Sequence, residues 1–514
     1  MHRPNPTVRY GATTMAIATA RVAAAAMLCL MSGCTMEPRY HAPPLPVAPQ
    51  WPLPATTATT DGVAPASAAP AASDAPPASE AAALAAWDVG WRDFFTDARL
   101  QQLIALALAN NRDLRVAVLN IQLARAQYRV QRAALLPSID ASGSYNKQKL
   151  PAVETGLPYS VTESYWQAGV GVSSFELDLF GRVRSLTHAA LEQYLAQDQA
   201  RRSAQLSLIA QIANAYLTLA SDHELRRLAQ ETVKSQEVSF ELTQKRHAIG
   251  AVSALDVAQA QTTGAAARAD AARYDGNIAQ DIDALTLLVG APVDSALLPQ
   301  DFTADTMGVA ALPPGMPSSV LLRRPDVLQA EHLLRSASAD IGAARAAFFP
   351  TISLTGTLGS VSPELSGLFK SGTGSWTFLP QATLPLFHGG ALLGNLSVAR
   401  SNRDIALAQY EKAIQSGFRE VADALALTLT LERQRQAQET LVDASKQSYD
   451  LSQQRYKSGT DSYLSVLDSQ RSYYAAQQGL IATRLAQQDN RVTLYKALGG
   501  GWLEHSPAAT LAHE

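Results

Sequence analysis

The second half of this chain repeats the first. Arg132-Ala-Ala-Leu-Leu-Pro137-Ser-Ile139 returns as Arg345-Ala-Ala-Phe-Phe-Pro350-Thr-Ile352, Leu179-Phe180 as Leu386-Phe387, and Gly290 as Gly499. Arg246, Gly250, Ser253, Leu255 and Val257 return, at the same spacing, as Arg455, Gly459, Ser462, Leu464 and Val466. The offset stays between 207 residues (Leu179 to Leu386) and 213 (Pro137 to Pro350), so one unit has been duplicated and its fold must be adopted twice.

Each unit contains a long proline-free span, Tyr159 to Ala291 in the first and Leu386 to Ser506 in the second. Within the second, Leu386–Lys457 carries Gly389, Gly390 and Gly394 near its start and an isolated Gly417. Ile414, Phe418, Val421 and Leu425 follow at steps of four, three and four, which puts them on one face of a helix. A helix of that length runs about 100 Å and needs long neighbours to cover its stripe. The first unit supplies one. From Val183 to about Arg246, Leu206, Ile209, Ile212, Tyr216 and Leu219 share a face. His247 to Ser253 interrupts, and a further helix runs from Ala254 to Val289. Gly250 and Gly459 let the chain reverse at little steric cost.

Ahead of these helices the period changes to two. Leu100–Ala109 and Leu114–Ala134 read as helices broken by Asn110 to Asp113. Ile139, Ala141, Gly143 and Tyr145 then alternate with polar residues, as do Trp166, Ala168, Val170 and Val172 after a loop holding Pro151, Gly156 and Pro158. In the second unit Ile352, Leu354, Gly356 and Leu358, then Trp376, Phe378, Ala382 and Leu384, do the same. The chain is expected to be mixed α and β, each unit a helix, a β-hairpin and a long helical hairpin. The first repeat covers 87–290, with its β-hairpin at 138–178 and helical hairpin at 183–289; a connection covers 291–323. The second repeat covers 324–499, with hairpins at 351–386 and 389–498, and a tail covers 500–514.

The N-terminus reads as an export signal. Arg3, Arg9 and Arg21 precede the apolar stretch Val22–Met31, and Ser32-Gly33-Cys34 follows. Small residues before a cysteine resemble a bacterial lipoprotein signal over 1–33. Cys34 would then carry a diacylglycerol and an N-acyl chain, and Thr35 after it implies outer-membrane sorting. Residues 34–86 form the anchor and a Pro/Ala/Ser/Thr-rich linker, expected to be extended or disordered. Cys29 and Cys34 are the only cysteines, which excludes a disulfide framework and a cysteine metal site. A net charge of −3 gives no reason to expect nucleic acid as a partner.

Four strands of about ten residues, apolar on one face, match a bilayer's hydrocarbon core at a tilt, and Trp166 and Trp376 suit an interfacial girdle. Four strands cannot close a barrel, and an open edge in lipid strands backbone groups at several kcal/mol each. Membrane strands would therefore require oligomerisation. Eight strands would give a filled barrel, twelve a lumen, with the long helices forming a second tube beneath.

Four motifs, in order, carry a resemblance. Leu103-Ile104 with Asn110-Asn111 and Leu114, Glu176-Leu-Asp-Leu-Phe-Gly-Arg182, Leu321-Leu-Arg-Arg-Pro-Asp-Val327, and Tyr456 with Gly459, Ser462, Tyr463 and Leu464 resemble the outer membrane factor family. With the lipoprotein signal, the RND-associated NodT/OprM-like branch is nearer than TolC. The resemblance spans about 85–502. It implies a homotrimer whose twelve-stranded outer-membrane barrel continues into a long helical barrel, girdled by residues 87–110, 291–323 and the C-terminus. It also implies a periplasmic adaptor (membrane fusion) protein and an inner-membrane RND transporter as partners, with outer-membrane lipid around the barrel.

In such a protein Gly250, Ser253, Leu255, Gly459 and Ser462 would form the periplasmic tip that meets the adaptor. Asp256, Tyr456, Asp468 and Arg471 match the family's gate positions, with Leu464 as an apolar constriction. The sequence departs from the TolC pattern at Asp461, where that protein has a gate arginine, and at Ser465, where it has an aspartate. Arg455 or Arg471 would have to serve instead.

No HExxH, GxSxG, P-loop or GxGxxG pattern occurs, and His388, in Phe-His-Gly-Gly, marks a strand-to-helix turn, so an enzyme is not expected. Three readings follow from the sequence. The first is a passive exit duct of a multidrug pump. The second is a similar duct for metal ions or a secreted polypeptide. The third is a lipid-anchored periplasmic coiled-coil scaffold.

Overall fold

The computed structural model describes residues 35–51, 89–302 and 318–506. Cys34 and the signal lie outside these, as do residues 52–86 of the linker. The long elements are α1 (Ala98–Asn110), α2 (Arg112–Ala133), β1 (Asp140–Leu150), β2 (Val161–Leu177), α3 (Arg182–Ala248) and α4 (Ala254–Val289). The second repeat supplies α5 (Pro325–Ala346), β3 (Thr351–Ser362), β4 (Gly374–Thr383), α6 (Ala391–Lys457) and α7 (Tyr463–Ala497).

These elements fall into two compact units, each drawing on both repeats. One holds the residues up to Pro43, Ile121–Gln197 and Ala330–Tyr410. The other holds Pro44–Asn120, Asp198–Gln329 and the chain from Glu411 onward.

The first unit is built on an antiparallel sheet in the order β1-β2-β3-β4, so the hairpins of the two repeats pair through β2 and β3. The register sorts side chains by chemistry. Ala141, Val170, Leu358 and Trp376 stand in one row, and Val172, Gly356 and Phe378 in the next. Ser142, Gly169, Gly359 and Ser375 cross the opposite face. On the apolar face Trp376 is 75% exposed and Leu358 65%. The alternation expected to stop at Val172 continues through a β-bulge. Ser174 takes φ 54°, its amide donates to Thr355 Oγ1 at 3.2 Å, and the extra residue brings Phe175 opposite Leu354. Without it, Phe175 and Leu177 would turn to the polar face. β1 and β4 each pair on one side only. Gly171 sits where a Cβ would lie 2.6 Å from the Gly356 carbonyl oxygen, so glycine there lets β2 and β3 close up.

The second unit has its core where α1 meets the long helices. Leu100, Leu103, Ile104 and Ala107 bury against Ile212, Tyr216, Leu219, Leu285 and Val289. The Tyr216 hydroxyl donates to Asp97 Oδ2 at 2.6 Å, while Asp97 Oδ1 caps α1 through the Arg99 amide. Phe94 stacks on Tyr495 with ring centroids 3.8 Å apart, and the Tyr495 hydroxyl donates to the Val89 carbonyl.

Several expectations need correction. Only Asn111 breaks the run from α1 to α2. Its Oδ1 accepts from the Leu114 amide and its Nδ2 donates to the Leu288 carbonyl, both at 2.8 Å, so it caps α2 and ties it to α4. The helical hairpin expected from 389 starts at Ala391, because Gly389 and Gly390 take φ +57° and +86°. Between Ile414 and Leu425 on α6 the buried positions are Ile414, Gly417, Val421 and Ala424; Phe418 and Leu425 are half-buried. The linker's first part is held in place. The Trp51 indole donates to the Phe418 carbonyl at 3.1 Å and stacks on the Phe418 ring, and Tyr40 donates to Glu331 at 3.0 Å.

Arg324, in the Leu-Leu-Arg-Arg-Pro-Asp motif, is the hub of the second unit. Its guanidinium donates to Asp326 at 2.7 and 3.0 Å, to Glu420 on α6 at 2.8 Å and to the Ala497 carbonyl at the end of α7 at 2.5 Å. Gly417 leaves room for it, since a Cβ there would come within 3.1 Å of Arg324 Nε. Arg324→Leu would leave Glu420 and a buried carbonyl without their Arg324 donor, and Asp326 with only the Val327 amide. Both carboxylates reach water, so the expected loss is about 2–4 kcal/mol, at the lower end of what breaking a buried ion network costs. An apparent melting temperature equal to wild type in detergent would refute this.

Asp222 on α3 and Asp281 on α4 form a second, unfavourable contact. Burial, with the neighbouring Asp222 carboxyl, pushes Asp281 up to about 6, and burial raises Asp222 as well. The folded state therefore binds the proton more tightly than the unfolded chain. Stability falls as pH rises from the ordinary value of 3.8 to about 6 and stays low above it. Asp281→Asn should raise the apparent melting temperature near pH 8 and raise it much less near pH 4.5, where only the first part of the loss has set in. An equal rise at both values would show that the carboxyl pair is not the cause.

Candidate functional site

Both helical hairpins reverse through the same hydrogen bonds. At the end of α3 the Gly250 amide donates to the His247 carbonyl and the Ala251 amide to that of Arg246, each at 2.8 Å. At the end of α6 the Gly459 amide donates to Tyr456 at 3.0 Å and the Thr460 amide to Arg455 at 2.9 Å. These are Schellman closures, and they place Gly250 and Gly459 at φ +77° and +75°, where a Cβ is penalised.

Beyond the glycines the turns differ. Ser253 and Asp256 form a capping box at the start of α4. The Asp256 amide donates to Ser253 Oγ at 3.2 Å, and the Ser253 amide and hydroxyl donate to Asp256 Oδ2 at 2.9 and 2.7 Å. Asp256, expected at the gate, thus spends one oxygen on its own helix and keeps Oδ1 for other contacts. The second turn has Ser465 where the first has Asp256, and Ser462 makes no side-chain cap. An ion pair closes that turn instead. Arg455 donates to Asp461 through two nitrogens at 2.6 and 3.0 Å, and the pairing lowers the Asp461 carboxyl below the usual range. Arg455 is therefore engaged within its own turn.

The expected gate residues separate into two groups. Tyr456 packs inward, its ring 5.3 Å from that of Tyr463 and capped by the Arg246 guanidinium at 5.0 Å. Phe240 and Tyr449 join it against buried Ala260, Val466 and Leu467. The Tyr456 hydroxyl is buried without a hydrogen-bond partner among the described residues. Leu464, Asp468 and Arg471 instead stand exposed along one stripe of α7, at steps of four and three. Neither Asp468 nor Arg471 has an ion-pair partner among the described residues. Leu255, expected at the tip, is 64% exposed, and Ile249 beside it 80%.

Sequence reading missed three features. The capping box had a signal in Ser253-x-x-Asp256. The Arg246–Tyr456 contact had none, because it joins different repeats. The third is a polar groove of about 790 Å³ where Glu224 and Arg227 on α3 face Glu432, Arg435 and Glu439 on α6 and Arg484 on α7. Arg435, Gln487 and Gln436 hold Glu432 down at about 2. Among the described residues no group of His, Cys, Asp and Glu is arranged to hold a metal ion.

A family model described as "Outer membrane efflux protein" matches residues 103–291 and 316–500. The chain is 47% identical over 482 residues to the antibiotic efflux pump outer membrane protein ArpC of Pseudomonas putida, covering 93% of this chain and 95% of that one. The toluene efflux pump outer membrane protein TtgC, also of Pseudomonas putida, matches at the same identity and coverage. Among solved structures, the open state of the Neisseria gonorrhoeae MtrE outer membrane channel superposes with a TM-score of 0.78 at 38% identity, covering 92% of this chain and all of that one.

The asymmetry of the two caps is testable by amide exchange. Ser253→Ala should speed exchange in the first turn of α4 about fivefold, equivalent to about 1 kcal/mol. Ser462→Ala should leave the first turn of α7 unchanged. Equal responses would refute the capping assignment.

Proposed function

Because the chain belongs to the outer membrane efflux protein family, we propose that three copies assemble into one gated duct through the outer membrane. The protein is a passive efflux channel of the outer membrane and not an enzyme. It works in a tripartite pump with a periplasmic adaptor and an inner-membrane transporter. In our reading the transporter is of the RND type and the cargo consists of small toxic molecules, in keeping with relatives named for antibiotics and toluene. Cys34 carries the lipid anchor.

One observation carries the trimer: an amphipathic four-stranded sheet with both edges unpaired. In lipid those edges must find partners, and three copies give twelve strands, enough for a lumen. The helices support the same assembly. Val116, Leu119, Leu123 and Val130 on α2 and Leu393, Val398 and Ile405 on α6 are all exposed in the single chain.

The Leu464–Asp468–Arg471 stripe is the gate in this reading. Its two charges have no ion-pair partner among the described residues, and in this reading each pairs with the neighbouring copy and holds the tip closed. The turns around Gly250, Ser253 and Leu255, and around Gly459 and Ser462, meet the adaptor.

The test is single-channel conductance in planar bilayers, with oligomeric mass taken from the same detergent-extracted sample. The wild type should be a trimer with small, mostly closed conductance. Asp468→Asn combined with Arg471→Gln should open it several-fold more often. No increase would refute the gate assignment, and a monomer without conductance would refute the duct.

A further inference from the structure

A basic cavity lies in the sheet-bearing unit, apart from the gate and the tip. It has a volume of about 360 Å³ and opens between the N-terminal segment around Tyr40 and helices α5 and α6. Arg39, Arg345, Arg400 and Arg403 line it against a single carboxylate, Asp404. Arg345 donates to the neutral Met36 carbonyl at 3.3 Å and has no ion-pair partner among the described residues. Arg403 Nε is buried 3.2 Å from Asp404 Oδ1 yet makes no hydrogen bond. Arg39 and Arg400 are exposed and have no ion-pair partner among the described residues. The nearby Arg335 is already neutralised by Glu331 at 2.6 Å and lies against the Tyr40 ring, pinning the cavity's lip.

Four like charges gathered in one cavity repel each other, and an anion there relieves the repulsion. Guanidinium groups match the oxygens of a phosphate in particular. Leu334, Ile341 and Leu407 line the same cavity, so the matching anion is amphipathic. The location selects among such anions. Arg39 follows Cys34 by five residues, which span at most about 18 Å when extended. A lipid on Cys34 therefore keeps the cavity within reach of the head groups of the leaflet it enters.

We propose that this cavity binds the phosphate head group of an acidic phospholipid in the periplasmic leaflet of the outer membrane, with Leu334, Ile341 and Leu407 taking the first methylenes of its chain. The site rests on the proposed outer-membrane placement with its lipid anchor at Cys34, and not on the gate.

The full protein in non-ionic detergent should be titrated with short-chain phosphatidylglycerol, short-chain phosphatidylcholine and inorganic phosphate, with adducts counted by native mass spectrometry. Phosphatidylglycerol should bind about tenfold more tightly than phosphatidylcholine, and the preference should shrink at high salt. Arg400→Ala with Arg403→Ala should weaken phosphatidylglycerol about twenty-five-fold, at about fivefold per arginine. Asp404→Asn removes the one opposing charge and should tighten it. Equal affinity for the two lipids, or a preference untouched by the arginine pair, overturns the proposal. Inorganic phosphate competing as well as the lipid also overturns it, in favour of a free-phosphate site. If the double variant does not assemble, Asp404→Asn decides, and unchanged affinity overturns the proposal. Conductance measured on the same samples separates the two readings. A conducting trimer without lipid preference sinks only this site, and lipid preference in a non-conducting monomer sinks only the duct.

Discussion

An unpaired strand edge cannot rest in hydrocarbon. Each free amide or carbonyl there costs several kcal/mol, and no side-chain choice on the strand removes that cost. The sheet has two such edges, on β1 and β4, and a face of Val170, Leu358, Trp376 and Phe378 suited to lipid. The chain is therefore incomplete alone. The exposed apolar residues of α2 and α6 are the same incompleteness in helical form, since long helices stabilise themselves by packing rather than by propensity.

Within the second unit the helices are aligned by a few polar contacts placed between long apolar stripes. Arg324 joins the start of α5 to α6 and α7 through four hydrogen bonds. Asn111 ties α2 to α4, and Tyr216 ties α3 to the cap of α1. Each satisfies groups that would otherwise be buried unpaired, so a slip between helices is costly at these points. At the turns the two repeats have diverged. The first uses a neutral-donor capping box and the second an exposed ion pair, although the backbone closures are the same.

The repeat, the helix faces and most element bounds were legible because each depends on residues close in sequence. Ala254–Val289 falls where its period and glycine placed it, and the stripe from Leu206 to Leu219 is buried throughout. The misses have physical causes. The bulge at Ser174 changes strand parity through one residue's φ, which alternation cannot register. Asn110 to Asp113 looks like a break, but a single well-placed Asn111 ends one helix and starts the next. Trp51 and Tyr40 lie in a composition typical of linkers, yet each finds a partner hundreds of residues away. Leu464, Asp468 and Arg471 are assigned to the gate by resemblance, whereas the Arg455–Asp461 clasp and the Arg246 contact with Tyr456 depend on how the turns fold.

By itself the sequence determined a duplicated unit, its order of helix, strand and turn, and the amphipathic period of each element, since these follow from local sterics and from where apolar residues recur. Only the tertiary structure decided which charges are compensated within the chain and which are not. Arg324 and Arg455 find carboxylates at home, while Asp468, Arg471, Arg39 and Arg400 have no ion-pair partner among the described residues, because pairing depends on distances that local sequence does not set. That distinction separates the charges that hold this chain together from those on which the proposed gate and anion site are built.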